Sequence, residues 1–503
     1  MLFRSEVSPV AIALLMALTG GSTFIAEVAW TRVLTLLVGP STYAFAATVA
    51  AFVSGLALGA SMGAVLVSRW RQLWLPLSML LGLAAAAAAW AVSVAGTSLP
   101  RSVVQTFASQ SRYAPQWYAL ELMLVVIPQA VAIGAAFPLV LHLGAGPHGS
   151  PRAIGSLYAV NTVAGVAASL AAGFVLVPTL GSERTLLVPT ALLVVGALLA
   201  AWASRAKPGV RVLVTVPALV GLVLAIGGDR WDRDLLASGA YKYAASVPAG
   251  FDVETALKAG TLLYYRDGAT ATVAVKRLTG TLSLAIDGKV DASSGGDMLT
   301  QALLAHLPLL LHADPKTVCI IGLGGGLTLA SALTHDVSRV DVVEISPEVV
   351  EASRLFFPDG QSPLDEPRAR VIVSDARTHV ALSSARYDVI ISEPSNPWMA
   401  GVAALFTREF FASARARLTH RGVMCQWINT YDISTDDLRS IVATFTSVFP
   451  HATMWLAGEG DLLLVGSPEP LEPALDRING PWRDRVAADL RSAAVSNPFG
   501  KIG

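Results

Sequence analysis

Charge is what this chain has least of. Only 14% of its 503 residues are charged, against 53% hydrophobic, where a soluble protein carries roughly 25% charged residues. The deficit is local. Up to Gly228 there are 15 charged residues, 11 of them Arg or Lys and 4 Glu, and no aspartate at all. The remaining 275 residues hold 57 charges, an ordinary soluble density. The formal net charge of zero is a first part at +7 cancelled by a second part at −7. That excludes a uniformly soluble chain and describes a membrane part followed by a soluble part. Cysteine is nearly absent too. Cys319 and Cys425 alone make neither a disulfide framework nor a four-ligand zinc site, and no metal is expected. No basic blocks interleaved with aromatics occur, so no nucleic-acid surface is expected, and no long low-complexity tract suggests extensive disorder.

What the first part has is apolar length. Seven stretches approach or exceed the roughly 20 residues of a bilayer crossing: Pro9–Trp30, Thr42–Val67, Leu73–Val94, Trp117–Leu143, Leu157–Val177, Leu186–Ala203 and Val212–Gly228. The seventh is the weakest, being short and containing Pro217. Met1–Gly20 imitates a signal peptide, but six apolar segments follow it, so an uncleaved first span is expected. Gly55, Gly59 and Gly63 recur every four residues, which puts them on one helical face where a second backbone can come close. Glu27, Glu121, Asn161 and His142 are the polar residues in or beside spans; an acid there is costly to bury and is a functional candidate, though a helix-end residue or an interhelical hydrogen bond is the commoner use. Loops after the even spans carry Arg69, Arg71, Arg152, Arg205, Lys207 and Arg211, and those after the odd spans Arg32, Arg101, Arg112 and Arg184. With Arg4, this favours a cytoplasmic N-terminus, and seven spans then place the soluble part outside. The ligand argued below is cytosolic and demands the opposite, unless the seventh stretch does not cross. The expectation adopted is a multi-pass inner-membrane protein with a cytoplasmic soluble part.

The second part begins with a mixed segment, Asp229–Gly260, carrying Trp231, Tyr241 and Tyr243 as amphipathic anchors. Strand-like runs follow at Leu262–Tyr265, Thr270–Lys276 and Thr281–Ile286, separated by Asp267-Gly268 and Thr279-Gly280 turn signals. Met298–Leu311 reads as an apolar helix. From Thr317 strands and helices alternate: strands at Val318–Ile321, Val340–Ile345, Val371–Val373, Val389–Ser392 and Val423–Trp427, with Thr453–Leu456 and Leu462–Val465 finishing the sheet. Such alternation implies a mostly parallel sheet that takes its ligand at the carboxyl ends of the strands. The expected organisation is a transmembrane helical domain over 1–228, a connector over 229–260, a small β-region and helix over 261–311, a Rossmann-like, methyltransferase-type α/β domain over 312–467 and a C-terminal tail over 468–503 without a readable motif.

Three strand ends carry the chemistry. The turn Gly322-Leu323-Gly324-Gly325-Gly326 after the first of these strands lets a ligand approach the backbone and a helix N-terminus. Alone, that is also an ordinary tight turn. Glu344 ends the next strand about 20 residues on, where a carboxylate holds two ribose hydroxyls. Asp375 closes the third, where an acid accepts from an adenine amino group, with Ala376 beside it. Together they describe a nucleoside site; spacing does not separate a dinucleotide from S-adenosylmethionine. Cys319, Met424 and Met454 read as core, His306 as a capping or packing residue, and Trp398, Trp427 and Trp455 as aromatic packing before pocket lining.

These residues resemble the spermidine synthase (polyamine aminopropyltransferase) family, and more narrowly its bacterial membrane-fused members. The resemblance covers about Tyr264–Ser467. It rests on Leu284–Gly288, His306-Leu307-Pro308, Ile321–Gly326, Val343-Glu344-Ile345, Ser374-Asp375-Ala376, Glu393–Trp398, Leu405-Phe406-Thr407 and Gln426, with Glu27–Arg32 and Gly55–Gly59 like the membrane-fused members. It implies that Gly322, Gly324, Gly325 and Gly326 form the cofactor loop, that Glu344 holds ribose and Asp375 adenine, and that Glu393 stands at the family's catalytic aspartate. A carboxylate there steers an ammonium and takes its proton, since only a neutral amine attacks. Departures accompany it. Gly325 replaces an aspartate that holds the donor's amino group, Asn396 replaces a second aspartate beside the catalytic one, and the family's amine-gripping cluster is reduced to Asp297, Met298 and Gln301. Fewer negative charges weaken the hold on a polycation and remove repulsion against a carboxylate, so intact S-adenosylmethionine becomes a donor candidate beside its decarboxylated form. The resemblance implies a membrane-bound transferase moving an aminopropyl-type group to a small-molecule amine and releasing methylthioadenosine. Glu393 and Asn396 would be catalytic, and Asp297, Gln301, Trp398 and Gln426 would face the amine. The partners expected are that amine and the lipid bilayer, with a homodimer left open. Methyl transfer, or lyase or cyclase chemistry, on the same site is the alternative, and a non-enzymatic transporter or nucleoside sensor the second.

Overall fold

The computed structural model describes residues 8–109, 114–146, 149–228, 230–248, 250–357, 360–458, 460–470, 478 and 482–493, and of 114–120 and 122 the backbone only. Arg4, Arg112, Asp229 and most of the tail lie outside the described residues. The chain forms two compact units: residues 1–259 with 266–272 and 287–289, and residues 260–265, 273–286 and 290–503.

Among the described residues of the first unit, seven helices are long and apolar enough to cross a membrane: Pro9–Val38, Thr42–Arg69, Trp74–Gly96, Met123–Ala145 (the end of helix Ala114–Ala145), Pro151–Leu180, Ser182–Ala203 and Pro208–Gly227. The last runs through Pro217 without a break, as helices in an apolar surround allow when neighbours take up the freed carbonyl. Close packing relies on small residues. A Cβ on Gly55, Gly59 or Gly63 would collide with Ala130, Val131 or Ala135 of the helix Ala114–Ala145, so the glycine face is a helix seam. Of the polar residues, Glu121 accepts from Ser102 Oγ at 2.9 and 3.0 Å, and Asn161 packs on Gly20. The segment read as a connector is itself folded, with short helices Arg233–Leu236, Ala240–Tyr243 and Val253–Leu257. Its Trp231 is buried and donates to the Val92 carbonyl at 2.9 Å instead of standing as an interfacial anchor.

Two sheets build the second unit. Strands β1 (Thr261–Asp267), β2 (Thr272–Leu278), β3 (Thr281–Ile286) and β4 (Lys289–Ser293) pair in that order; β4 was not foreseen. The second sheet contains β5 (Thr317–Ile321), β6 (Arg339–Glu344), β7 (Ala369–Val373), β8 (Tyr387–Ser392), β9 (Leu418–Asn429), β10 (His451–Ala457) and β11 (Asp461–Ser467), in the order β10-β11-β9-β8-β5-β6-β7. From β9 to β7 neighbours run parallel, and β11 and β10 close the other edge antiparallel. The central parallel strands β5 and β8 are largely apolar because both their faces are covered. Val318 and Ile320 enter one core cluster, and Cys319 and Ile321 the other, the two-residue alternation of a pleated strand. Cys319 is core, its thiol pushed up to about 12 by burial. Met424 is fully buried, but Met454 is 61% exposed; it sits on edge strand β10, where one flank has no neighbouring strand.

The glycine seam yields a prediction. Gly59→Leu must push a side chain into the Val131 carbonyl, and overpacking of this kind costs roughly 1–3 kcal/mol. Detergent-solubilised Gly59→Leu should lose its monodisperse peak and melt earlier, while Val65→Leu, on the exposed side of the same helix, should behave like the parent. Equal thermal midpoints for all three would show that the seam does not hold the helices.

Candidate active site

The carboxyl ends of β5, β6, β7, β8 and β9 gather the foreseen residues at one edge of the sheet. After β5 the backbone turns through Gly322, Gly324 and Gly326, each with positive φ (89°, 51° and 82°), which only glycine adopts freely. Gly322 has a second constraint: a Cβ would collide with the Glu393 carbonyl oxygen. The loops after β5 and β8 therefore touch, and Glu393 N donates to the Ile321 carbonyl at 2.9 Å. Gly325 has no positive φ; its bare Cα faces the ring of Phe356, whose carbons lie 3.0 Å from where a Cβ would stand.

Glu344, the last residue of β6, is 7% exposed. Its two carboxyl oxygens accept from Ser346 N at 2.9 Å and Leu323 N at 3.0 Å, tying the glycine loop to the next strand. Burial pushes its carboxyl above the usual carboxylate range, and those N–H groups oppose the push. Each oxygen keeps lone-pair capacity for a further donor. Asp375 is exposed at the mouth of the next loop and caps the helix Ala376–Leu382 by accepting from Thr378 N at 2.7 Å. Ala376 is buried in the first turn of that helix.

Glu393 follows β8. Its Oε2 accepts from Thr328 Oγ1 at 2.7 Å. Burial pushes its carboxyl up to about 8; the Thr328 hydroxyl pulls it down, and Asp297, Asp461 and Asp291 push it further up. These three carboxylates come from separate elements. Asp291 lies on β4, Asp297 precedes the helix Met298–Leu311, and Asp461 opens β11. Asp291 accepts from Ser395 Oγ at 2.5 Å. Asp461 is held by Thr300 Oγ1 at 2.5 Å and by the Trp427 indole N–H at 3.0 Å. Asp297 accepts no hydrogen bond from its own helix. Tyr431 adds a phenol that burial pushes up to about 12, so it remains a hydroxyl. Asp291, Asp461 and Tyr431 were missed in the sequence; no local signal marks them.

Near Glu393 several buried polar atoms have no partner among the described residues. Asn396 is fully buried and neither amide atom makes a geometrically sound hydrogen bond among the described residues, although the Tyr431 hydroxyl lies beside it. Gln426 is fully buried as well; its Nε2 donates to the Trp427 carbonyl at 3.0 Å while Oε1 has no donor. Ser392 Oγ and Asn429 Oδ1 are in the same state. Buried polar atoms are almost always paired, so this concentration marks a place that a polar ligand or water completes. Trp398 is half-buried on the same loop. Gln301 is used differently from the expectation: it is buried and its Nε2 donates to the Ser293 carbonyl at 3.1 Å, bracing the turn that leads to Asp297. His306 is packing, as expected. It is fully buried between His335 Nε2 and Asp489 Oδ2, 2.8 Å from each. Among the described residues no His, Cys, Asp and Glu group is arranged to hold a metal ion.

A mostly parallel α/β sheet with a glycine turn, a buried acid and a second acid on successive strand ends is the arrangement of nucleotide-binding α/β folds. Residues 298–457 match the family model of the spermine/spermidine synthase domain. The polyamine aminopropyltransferase of Caldicellulosiruptor saccharolyticus is 30% identical over 174 residues, 34% of this chain and 62% of that protein. The Bacillus subtilis enzyme of the same name is 29% identical over 175 residues, 35% of this chain and 63% of that protein. The chain thus spans less than two thirds of the length of these relatives. Among solved structures, the spermidine synthase from Thermotoga maritima is similar at 25% identity with a TM-score of 0.38, covering 42% of this chain and 75% of that one.

The pushed-up Glu393 carboxyl links pH to stability. Between its unperturbed value of 4.5 and about 8 the folded protein holds a proton that the unfolded chain has released. Stability therefore falls as pH rises through that window. Glu393→Gln removes this dependence. Without ligand, its thermal midpoint relative to the parent should climb as pH is raised from about 5 to about 8; parallel curves would show that Glu393 titrates normally.

Proposed function

We propose that this protein is a membrane-bound aminopropyltransferase-type enzyme. It transfers an aminopropyl-type group from a sulfonium nucleoside, decarboxylated or intact S-adenosylmethionine, to a small amine. The observation that carries this reading is Glu393 set among Asp291, Asp297 and Asp461, next to the strand ends that carry Glu344 and Asp375. The three aspartates act electrostatically on Glu393 and make a negative field that draws in an ammonium. An amine attacks only after losing a proton, and Glu393, pushed up to about 8, is a base matched to neutral pH. A cation beside Glu393 lowers that value and readies the carboxylate. In the transfer step the amine nitrogen bonds to the side-chain carbon as the carbon–sulfur bond breaks. The sulfur leaves with the electron pair as a neutral thioether, and the ammonium proton passes to Glu393. The glycine loop and Glu344 would hold the ribose and Asp375 the adenine, which leaves its capping bond in place because a carboxylate has four acceptor sites. Asn396, Gln426 and Trp398 would complete the amine side, with Asp297 reaching the incoming cation.

The acceptor field is more acidic than the motif comparison alone implied, because Asp291 and Asp461 supply charge from other elements. That favours a cationic acceptor. At Gly325 the Phe356 ring occupies the space into which a side chain would project, so the donor's amino-acid end meets an uncharged wall. An uncharged wall repels neither donor form by charge. The apolar helices of the first unit suit a bilayer, and we place the catalytic unit in the cytoplasm, where sulfonium nucleosides are made.

Purified full-length protein given either sulfonium donor and a panel of amines should yield methylthioadenosine and an amine heavier by the transferred group, seen by mass spectrometry. Glu393→Gln should lose about 10²–10⁴-fold in rate, and Glu344→Ala and Asp375→Ala should each weaken nucleoside binding by roughly 1.5–3 kcal/mol. Unchanged calorimetric binding in both Ala variants would remove the site assignment, and methylated products would replace aminopropyl transfer by methyl transfer. Separately, a reporter fused after Gly503 should report the cytoplasm; periplasmic activity would reverse the orientation.

A further inference from the structure

Thr328 lies in the first turn of the helix Leu327–Leu333, directly after the glycine loop, and is 2% exposed. Its hydroxyl stands between two acceptors, Glu393 Oε2 at 2.7 Å and the Gln301 carbonyl oxygen at 3.2 Å. One hydroxyl has one hydrogen and two lone pairs, so it cannot donate to both at once. It can accept only from Glu393, and only when that carboxyl is protonated, because a carbonyl has no hydrogen to give. Which one it serves depends on Glu393. Facing a carboxylate, Thr328 donates to Oε2. Facing a carboxylic acid protonated on Oε2, it accepts that proton's hydrogen bond and turns its own hydrogen to the Gln301 carbonyl. Neither state requires a heavy atom to move. Gln301 itself is fixed, since its Nε2 is held by the Ser293 carbonyl at 3.1 Å.

We propose that Thr328 is the positioning residue for the acid–base group Glu393, a hydroxyl that holds the carboxylate toward the amine and reverses its hydrogen bond when the carboxylate takes up the proton. The proposal rests on the reading of Glu393 as the proton acceptor. The groups that face Glu393 are Asp291 on β4, Asp297 before the helix Met298–Leu311, Cys425 on β9, Asp461 on β11 and Thr328 itself. The aspartates all disfavour its ionised form, and Thr328 is the group that favours it. Without the hydroxyl, the charge on Glu393 has lost its direct donor.

The test follows Glu393 directly in full-length protein in detergent. Infrared difference spectra show the protonated carboxyl C=O band, assigned by its loss in Glu393→Gln, and its disappearance with rising pH gives the midpoint. Thr328→Val, which keeps the volume and removes the hydroxyl, should raise that midpoint by about one pH unit, and the acidic limb of the transfer rate should move with it, about tenfold slower below the limb. Thr328→Ser should restore both, and Thr328→Ala gives the same comparison if the Val variant does not fold. An unshifted midpoint without the hydroxyl, or a Ser variant that behaves like Val, overturns the proposal. A merely structural role would lower the rate at every pH and leave the midpoint where it was. The infrared midpoint needs no turnover: a shift in protein that transfers nothing would keep the positioning role and remove the aminopropyl reaction.

Discussion

The contact between Gly322 and the Glu393 backbone is the constraint on which the site depends. Two loops from neighbouring parallel strands come so close that one of them has no room for a Cβ. That approach brings the turn that would cradle a nucleoside next to the acid that would manage a proton. Because Gly322 also bonds through its N–H to the Val343 carbonyl at 3.0 Å, the same residue ties three strands together. Glu344 then fixes the loop from the other side through Leu323 N. The two halves of the chemistry are separated by backbone bonds rather than by flexible side chains, as catalytic geometry requires.

Much of this was legible in the sequence because a parallel sheet reads out locally. Each βα unit presents its candidate residue at or just after the end of its own strand, so Gly322–Gly326, Glu344 and Asp375 could be located one unit at a time, and Glu393 by its place in the family resemblance. The other carboxylates could not. Asp291 sits on a strand of a different sheet, and Asp461 begins an antiparallel strand more than 60 residues after Glu393; only the tertiary arrangement brings them near. Strand β4 was hidden for a related reason. Its five residues, Lys289–Ser293, are short and half polar, without the apolar alternation that marks a strand. Gln301 misled in the opposite direction. Its place in the motif suggested a substrate contact, whereas its amide satisfies a local carbonyl, which no linear pattern reveals.

In the first unit the sequence was most informative where the physics is simplest. Long apolar runs became helices, and the four-residue glycine repeat became a seam. Pro217 was weighed as a helix breaker on grounds that hold in water; between apolar neighbours the helix continues through it. The folded character of 230–259 was the larger surprise, since Trp231 is a buried donor inside a unit that its mixed composition did not suggest.

The unpaired polar atoms around Asn396 and Gln426 have a thermodynamic consequence. Among the described residues, Ser392 Oγ, Asn396 Oδ1 and Nδ2, Gln426 Oε1 and Asn429 Oδ1 are buried donors and acceptors that a polar ligand can engage in place of water. Any compound that supplies those hydrogen bonds binds the native form and not the unfolded chain, and so shifts the folding equilibrium by mass action. Cellular abundance of the protein would then follow the supply of that compound. Chains made while it is scarce would spend longer in open forms that proteases recognise, so the level of the protein would track its ligand without any dedicated regulator.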